Sequence, residues 1–236
     1  MQRGLFGKLQ AKRDFLAHGA PRGFLSAFEP WLHAAVAASK ARLGPMSQDA
    51  HLTAPIWRFR LGAEICGAEV LGALTPSMDG VGRYFPLAVV FMAEENERFR
   101  APEADAQDDW FLALESLLFL ALDAEQRFED IVAAFDALPA PALEPTPPDA
   151  PLLIAGAATA RVDDAGFSHA LARARAAVEH TRARAAGSFW WTLGGEGYER
   201  RALVAAGLPD PALFAAMVTG RFDASFCAKG GETHVA

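Results

Sequence analysis

The sequence predicts an α/β protein of the α+β kind, with a largely antiparallel central sheet and helices packed on it. Three features point there. Residues 56–61, 68–75 and 85–92 are stretches of strand length joined by short connections, which suits an antiparallel meander. Residues 107–122 carry Trp110, Phe111, Leu114, Leu117, Leu118 and Leu122 over much of a helical circumference, so that helix has to be buried against the sheet. The chain's 236 residues, 52% hydrophobic and 22% charged, suffice for one large domain with a sizeable core.

In chain order, residues 4–9 read as a short first strand, followed by a basic loop that contains Asp14. Phe24, Phe28, Trp31, Leu32, Ala35 and Val36 then recur at helical spacing. Pro30 has no N–H to give, so a helix start or kink is expected there, and Gly44-Pro45 ends the helix. Residues 56–61 alternate apolar and charged side chains, the pattern of a half-buried strand. Residues 94–109 read as an acidic, solvated link. A second helix starts near 125, with Phe128, Ile131, Val132, Phe135 and Leu138 on one face.

Six prolines within 139–151 make an extended linker. Beyond it the pattern gives a short strand at 152–155 and an alanine-rich helix at 163–184. Strands at 187–193 and 200–206 follow, then a short helix at 211–219 closed by Gly220. The expected organisation is an N-terminal unit at 1–138, a linker at 139–151, an extension at 152–222 packed on the same domain, and a loose tail at 223–236.

A formal net charge of -7 disfavours nucleic acid as a partner, which needs a basic field to displace counterions. Arg173, Arg175, Arg182 and Arg184 fall on opposite sides of their helix and read as its solvated surface. Cys66 and Cys227 form neither a metal motif nor a disulfide framework. No secretory signal is visible, and no apolar run approaches the roughly 20 residues that span a bilayer, so a cytoplasmic, soluble protein with no membrane insertion is expected. There is no P-loop, no G-x-S-x-G elbow around Ser77 and no H-E-x-x-H pattern. No catalytic residue, metal or cofactor is expected.

The polar groups most worth following lie on residues 74–91, a shaped loop that leads into a buried strand. Pro76, Gly80 and Gly82 set its backbone, and Ser77, Asp79 and Arg83 are held on it. Ser77 has an aspartate but no histidine nearby in the sequence, so it lacks a general base. Arg83 is suited to a carboxylate or a phosphate. The plainer alternative is that Ser77 or Asp79 caps the turn and Arg83 pairs with Asp79 or Asp14. Lys8, Asp14 and Arg58 join the same cluster if the first strand lies beside 56–61.

These residues also carry a resemblance. Gly4-Leu5-Phe6-Gly7-Lys8-Leu9, Asp14-Phe15, Trp31-Leu32, Pro55-Ile56-Trp57-Arg58-Phe59 and the run from Pro76 to Leu87 occur in the order seen in the TagF (ImpM) family of type VI secretion-associated proteins. Ser188-Phe189-Trp190-Trp191 and Gly207-Leu208-Pro209 are similar to its C-terminal half, so the likeness spans roughly residues 4–221. The resemblance implies an α–β–α sandwich and a cytoplasmic accessory factor that represses type VI secretion after translation. Its implied partner is a forkhead-associated scaffold protein, reached independently of the threonine kinase and phosphatase. It carries over no catalytic residue. A different class of function, a small-molecule or anion sensor or a weak hydrolase, would use the same Ser77/Asp79/Arg83 loop and would need a closed, apolar-walled pocket around it.

Overall fold

The computed structural model describes residues 1–94, 97–144, 151–154, 157–162, 164–223 and 226. In chain order, strands β1 (Gln2–Gly7) and β2 (Leu16–His18) precede helices α1 (Arg22–Leu43) and α2 (Ser47–Leu52). Strand β3 (Trp57–Leu61), helix α3 (Ala63–Cys66), and strands β4 (Val70–Thr75) and β5 (Leu87–Met92) follow. Helices α4 (Asp108–Leu122) and α5 (Phe128–Ala137) lead to the small hairpin β6 (Leu152–Ile154) and β7 (Ala157–Thr159). Helix α6 (Gly166–Ala186), strands β8 (Gly187–Thr192) and β9 (Arg201–Ala206) and helix α7 (Phe214–Thr219) follow.

Seven strands form one sheet in the order β2-β1-β5-β4-β3-β8-β9. Every neighbouring pair in it is antiparallel. β3, β4 and β5 make the expected meander, and β8 and β9 extend the sheet from β3. Because side chains alternate across a sheet, strands β1, β4, β5 and β8 feed two cores. Phe59, Val70, Leu74, Val90 and Trp190 meet Phe24, Phe28 and Trp31 of α1 and Phe214 and Met217 of α7 on one side. On the other, Leu71, Val89 and Phe91 meet Trp110, Leu114 and Leu118 of α4 and Ile131 and Phe135 of α5. The result is the helix–sheet–helix sandwich.

Several local expectations change. Helix α1 does not start at Pro30 but continues across it from Arg22 to Leu43. Proline removes the hydrogen bond to the carbonyl of residue 26, but Ser26 and Pro30 are both on the exposed side of the helix, where solvent can satisfy a carbonyl. Buried anchors hold the helix in place, including Trp31, whose indole N–H donates to the Pro209 carbonyl at 2.6 Å. Strand β3 is buried along all of its length, not half of it, because Asp108 and Glu115 of α4 close over Arg58 while Glu69 and the end of α6 close over Arg60. The segment after Glu94 is not simply solvated: Phe99 and Ala101 are buried, and Phe99 bridges to Leu143.

Arg184 is buried as well, donating to Glu144 at 2.6 Å and to the Phe99 carbonyl at 2.7 Å. The proline-rich residues 139–144 are tied to the body, with the Trp110 indole donating to the Pro139 carbonyl at 2.9 Å. The remaining linker residues 145–150, Cys227 and the tail beyond Asp223, apart from Phe226, lie outside the described residues. Among the described residues, no helix is long and apolar enough to cross a membrane.

Candidate functional site

The loop between β4 and β5 is a closed hairpin. The Phe85 amide donates to the Ser77 carbonyl at 2.9 Å, Met78 bridges to Tyr84, and the Asp79 amide donates to the Arg83 carbonyl at 3.1 Å. The two glycines serve it differently. Gly82 takes φ +85°, a left-handed turn that a side chain would strain. Gly80 instead permits close approach: its amide donates to the Lys12 carbonyl at 2.9 Å, and a Cβ there would sit 2.8 Å from the Gln10 carbonyl oxygen.

Asp79 is the knot of this loop. Its Oδ1 accepts from the amides of Val81 at 3.1 Å and Arg83 at 2.9 Å. Its Oδ2 accepts from Arg83 Nε at 2.8 Å and faces Lys8 Nζ at 2.9 Å. Burial alone would push this carboxyl up. The Lys8 ammonium, the Arg83 and Val81 amides and the Arg83 guanidinium outweigh it and hold Asp79 well below the usual carboxylate range. Lys8 is buried with it. Ser77 is buried too, and its hydroxyl donates to the Lys8 carbonyl at 2.8 Å, which ties the loop to the end of β1.

Of the six residues singled out in the sequence, Lys8, Ser77, Asp79 and Arg83 meet. Asp14 stands at the rim, 4.0 Å from Arg83, almost wholly in solvent. Arg58 does not belong to the cluster. The first strand pairs with β5, so β5 and β4 separate it from β3. Arg58 turns to α4 instead, donating from Nε to Glu115 and from Nη1 to Asp108, each at 2.6 Å, with its guanidinium 4.9 Å from the Phe111 ring centre.

The structure adds a histidine that sequence spacing did not bring near. His51 of α2 is buried against Tyr84, with ring centres 5.0 Å apart, and its Nε2 lies 3.3 Å from the Ser77 carbonyl oxygen. Burial drives its pKa down to about 4; the Ser77 backbone contact opposes the shift and nearby Lys40 adds to it. His51 thus reaches the backbone of Ser77 and not its hydroxyl, which is committed to Lys8. A general base would have to receive that hydroxyl proton.

Beside the knot lies an open groove of about 550 Å³ between α1 and the loop. Lys8, Phe15, His33, Lys40, Arg83 and Tyr84 line it, and no carboxylate does among the described residues. Arg83 keeps 58% of its side chain exposed even though Nε holds Asp79 and Nη2 donates to the Arg13 carbonyl. Phe15, 49% exposed, packs edge-on against Phe85 at 4.8 Å. Lys40 rests over the Tyr84 ring at 4.4 Å. His33 and Lys40 are seven residues apart on α1 and so share a helix face, a spacing readable in the sequence. Which loop that face meets is decided only by the fold.

Residues 4–138 match the family described as the TagF N-terminal domain, type VI secretion system-associated. The chain is also similar to the crystal structure of PA0076 from Pseudomonas aeruginosa PAO1, with a TM-score of 0.77 and 30% sequence identity, over 94% of this chain and 96% of that one. No match is found among curated proteins. The family match, which covers more than half of the chain and includes β1 to β5 and the loop between β4 and β5, makes this chain a member of the TagF family of type VI secretion system-associated proteins.

Proposed function

We propose that this protein is a cytoplasmic repressor of type VI secretion that acts after translation by binding, without chemistry of its own. Its partner in this reading is a forkhead-associated scaffold protein, and the contact is the face formed by loop 76–86 and the groove beside it. Occupying that scaffold keeps it from supporting assembly of the secretion machine.

The observation that supports this reading best is how the loop spends its polar groups. Asp79, Lys8 and Ser77 are buried and satisfied by one another and by the backbone, which fixes the loop's shape. Outward, on the open groove beside the fixed loop, stand Arg83 of the loop itself, Phe15 just before β2 and Lys40 of α1. A fixed loop flanked by an exposed aromatic and a basic side chain from its neighbours suits recognition of another protein, where aromatic residues and arginine contribute most. A sensor or hydrolase would call for a closed pocket on which Asp79 and Arg83 converge; here they converge on each other.

The test is capture of secretion components from a cell extract by the wild type and by Arg83→Ala, with the fold of the variant verified by circular dichroism. The expected result is capture of the scaffold by the wild type and its loss in the variant. Equal capture by both would move the contact away from this loop. Capture by neither, together with saturable binding of a small anion, would favour the sensor.

A further inference from the structure

The groove has a chemistry of its own. Lys8 is spent on Asp79, so the charges left to face outward are Lys40, held over Tyr84, and Arg83, whose Nη1 remains beyond its bonds to Asp79 and Arg13. Between them lie aromatic rings: Phe15 meets Phe85 edge-on, and His33 sits 5.4 Å from Phe15 and 4.9 Å from Phe85. This basic and aromatic surface stands on a chain whose formal net charge is -7. A volume of about 550 Å³ takes a few side chains.

An inorganic anion would use the cations and leave the rings idle. A peptide that alternates carboxylates with apolar side chains satisfies both. We infer that this groove binds an acidic, extended segment of the partner protein, with carboxylates on Lys40 and Arg83 and an apolar side chain against Phe15. The inference rests on the protein-binding reading above and specifies the partner's chemistry. Asp14, exposed and 4.0 Å from Arg83, competes with an incoming carboxylate, whereas Asp79 is buried beneath Arg83.

The probe is a fluorescein-labelled peptide of alternating glutamate and leucine, about nine residues long, followed by anisotropy with the full chain at about 50 mM salt. Saturable binding is expected, weakened roughly tenfold or more by Lys40→Glu and weakened again at about 300 mM salt. Asp14→Asn should tighten it. Lys12→Glu should leave it unchanged, because Lys12 sits over the Phe128 ring outside the groove. Lys40 is exposed, so its reversal leaves the fold intact.

No saturable binding to the wild type, or equal binding by Lys40→Glu, would overturn the inference. Displacement of the peptide by low millimolar inorganic phosphate would overturn it as well, by making the groove a simple anion site. If the peptide behaves as expected while the scaffold is not captured, the groove stands and the identity of the repressed partner falls. If the scaffold is captured equally by wild type and Lys40→Glu, the repressor reading stands and the groove does not carry it.

Discussion

Two regions of this protein hide a carboxylate against cations, and they differ in what surrounds the pair. Asp79 sits in a loop, with Lys8 and Arg83 as partners and two loop amides as further donors, and one of those partners stays more than half exposed. Glu69 sits deep beside the sheet. Arg60 donates to its Oε1, and the Phe99 amide donates to its Oε2 at 2.9 Å. Arg60 also reaches the Arg184 carbonyl at 3.5 Å. Burial pushes the Arg60 guanidinium below its usual range, and Glu69 opposes that shift. The first knot fixes a surface and leaves a reader on it. The second fastens β3, the start of β4, the end of α6 and the segment at 99 to one another, and the half-exposed Arg98 stands at its edge, 4.0 Å from Glu69 Oε1 and beyond hydrogen-bond reach. Buried charge alone therefore does not mark a functional site; a buried charge that shapes an exposed neighbour does.

The largest effect is expected from Glu69→Ala. Arg60 would lose its direct ion-pair partner in the core, a loss of about 3–5 kcal/mol for a broken buried pair, eased by Glu103 and Glu144, whose charges also favour the guanidinium. Urea denaturation of the variant measures it, and a loss under about 1 kcal/mol would mean that water reaches Arg60. The double variant Arg60→Met with Glu69→Leu should recover most of that loss, since apolar replacement of a whole buried pair is close to neutral.

Acid should separate the two regions next. His51 is neutral in the folded protein down to about 4, whereas the unfolded chain takes up that proton near 6.5. The unfolded state thus binds more protons between these values, so stability is full above about 6.5 and falls as the pH drops toward 4. The linked loss approaches about 3 kcal/mol at the low end. Asp79, whose carboxyl is depressed, contributes stability above the ordinary aspartate range and loses it only at still lower pH. Denaturation midpoints at pH 7 and pH 4.5 would test the window, and His51→Gln should flatten the slope between them. An unchanged slope would place the acid sensitivity elsewhere.

Lys8→Met comes third. It removes one charged donor from Asp79 but leaves the Val81 and Arg83 amides and the Arg83 guanidinium, so the cost should be about 1.5–3 kcal/mol, less than at Glu69. A loss equal to that of Glu69→Ala would make the two knots alike and undo the distinction drawn between them.

The sheet and its covering helices were legible because apolar periodicity reports burial directly, as in α4 and in strands β4 and β5. The alternation in 56–61 misled for a physical reason: Arg58 and Arg60 look like solvent-facing residues until Glu115, Asp108 and Glu69 are placed against them, and those partners lie on other elements. The same holds for the site. Asp79 and Arg83 are four residues apart, and their pairing could be weighed from the loop alone. Lys8 required knowing that β1 lies beside β5, and the wrong neighbour, β3, would have brought in Arg58. His51 and Lys40 reach the loop from α2 and α1, at sequence distances where no pattern of spacing operates.

Arg83→Ala should be the smallest of these changes in stability and the largest in recognition. Its side chain is 58% exposed and its contact to Asp79 is one of several that the carboxylate accepts, so the loss should stay within about 1 kcal/mol. Asp79 keeps Lys8 and two amides, and the hairpin keeps Gly82 and its Ser77–Phe85 backbone bond. The loop should therefore hold its shape while losing the charge at its tip. Urea denaturation and partner capture on the same preparation separate the two roles. A variant that unfolds early would make Arg83 a structural residue after all. A variant as stable as the wild type that no longer captures the scaffold would identify Arg83 as the part of the knot that faces the partner.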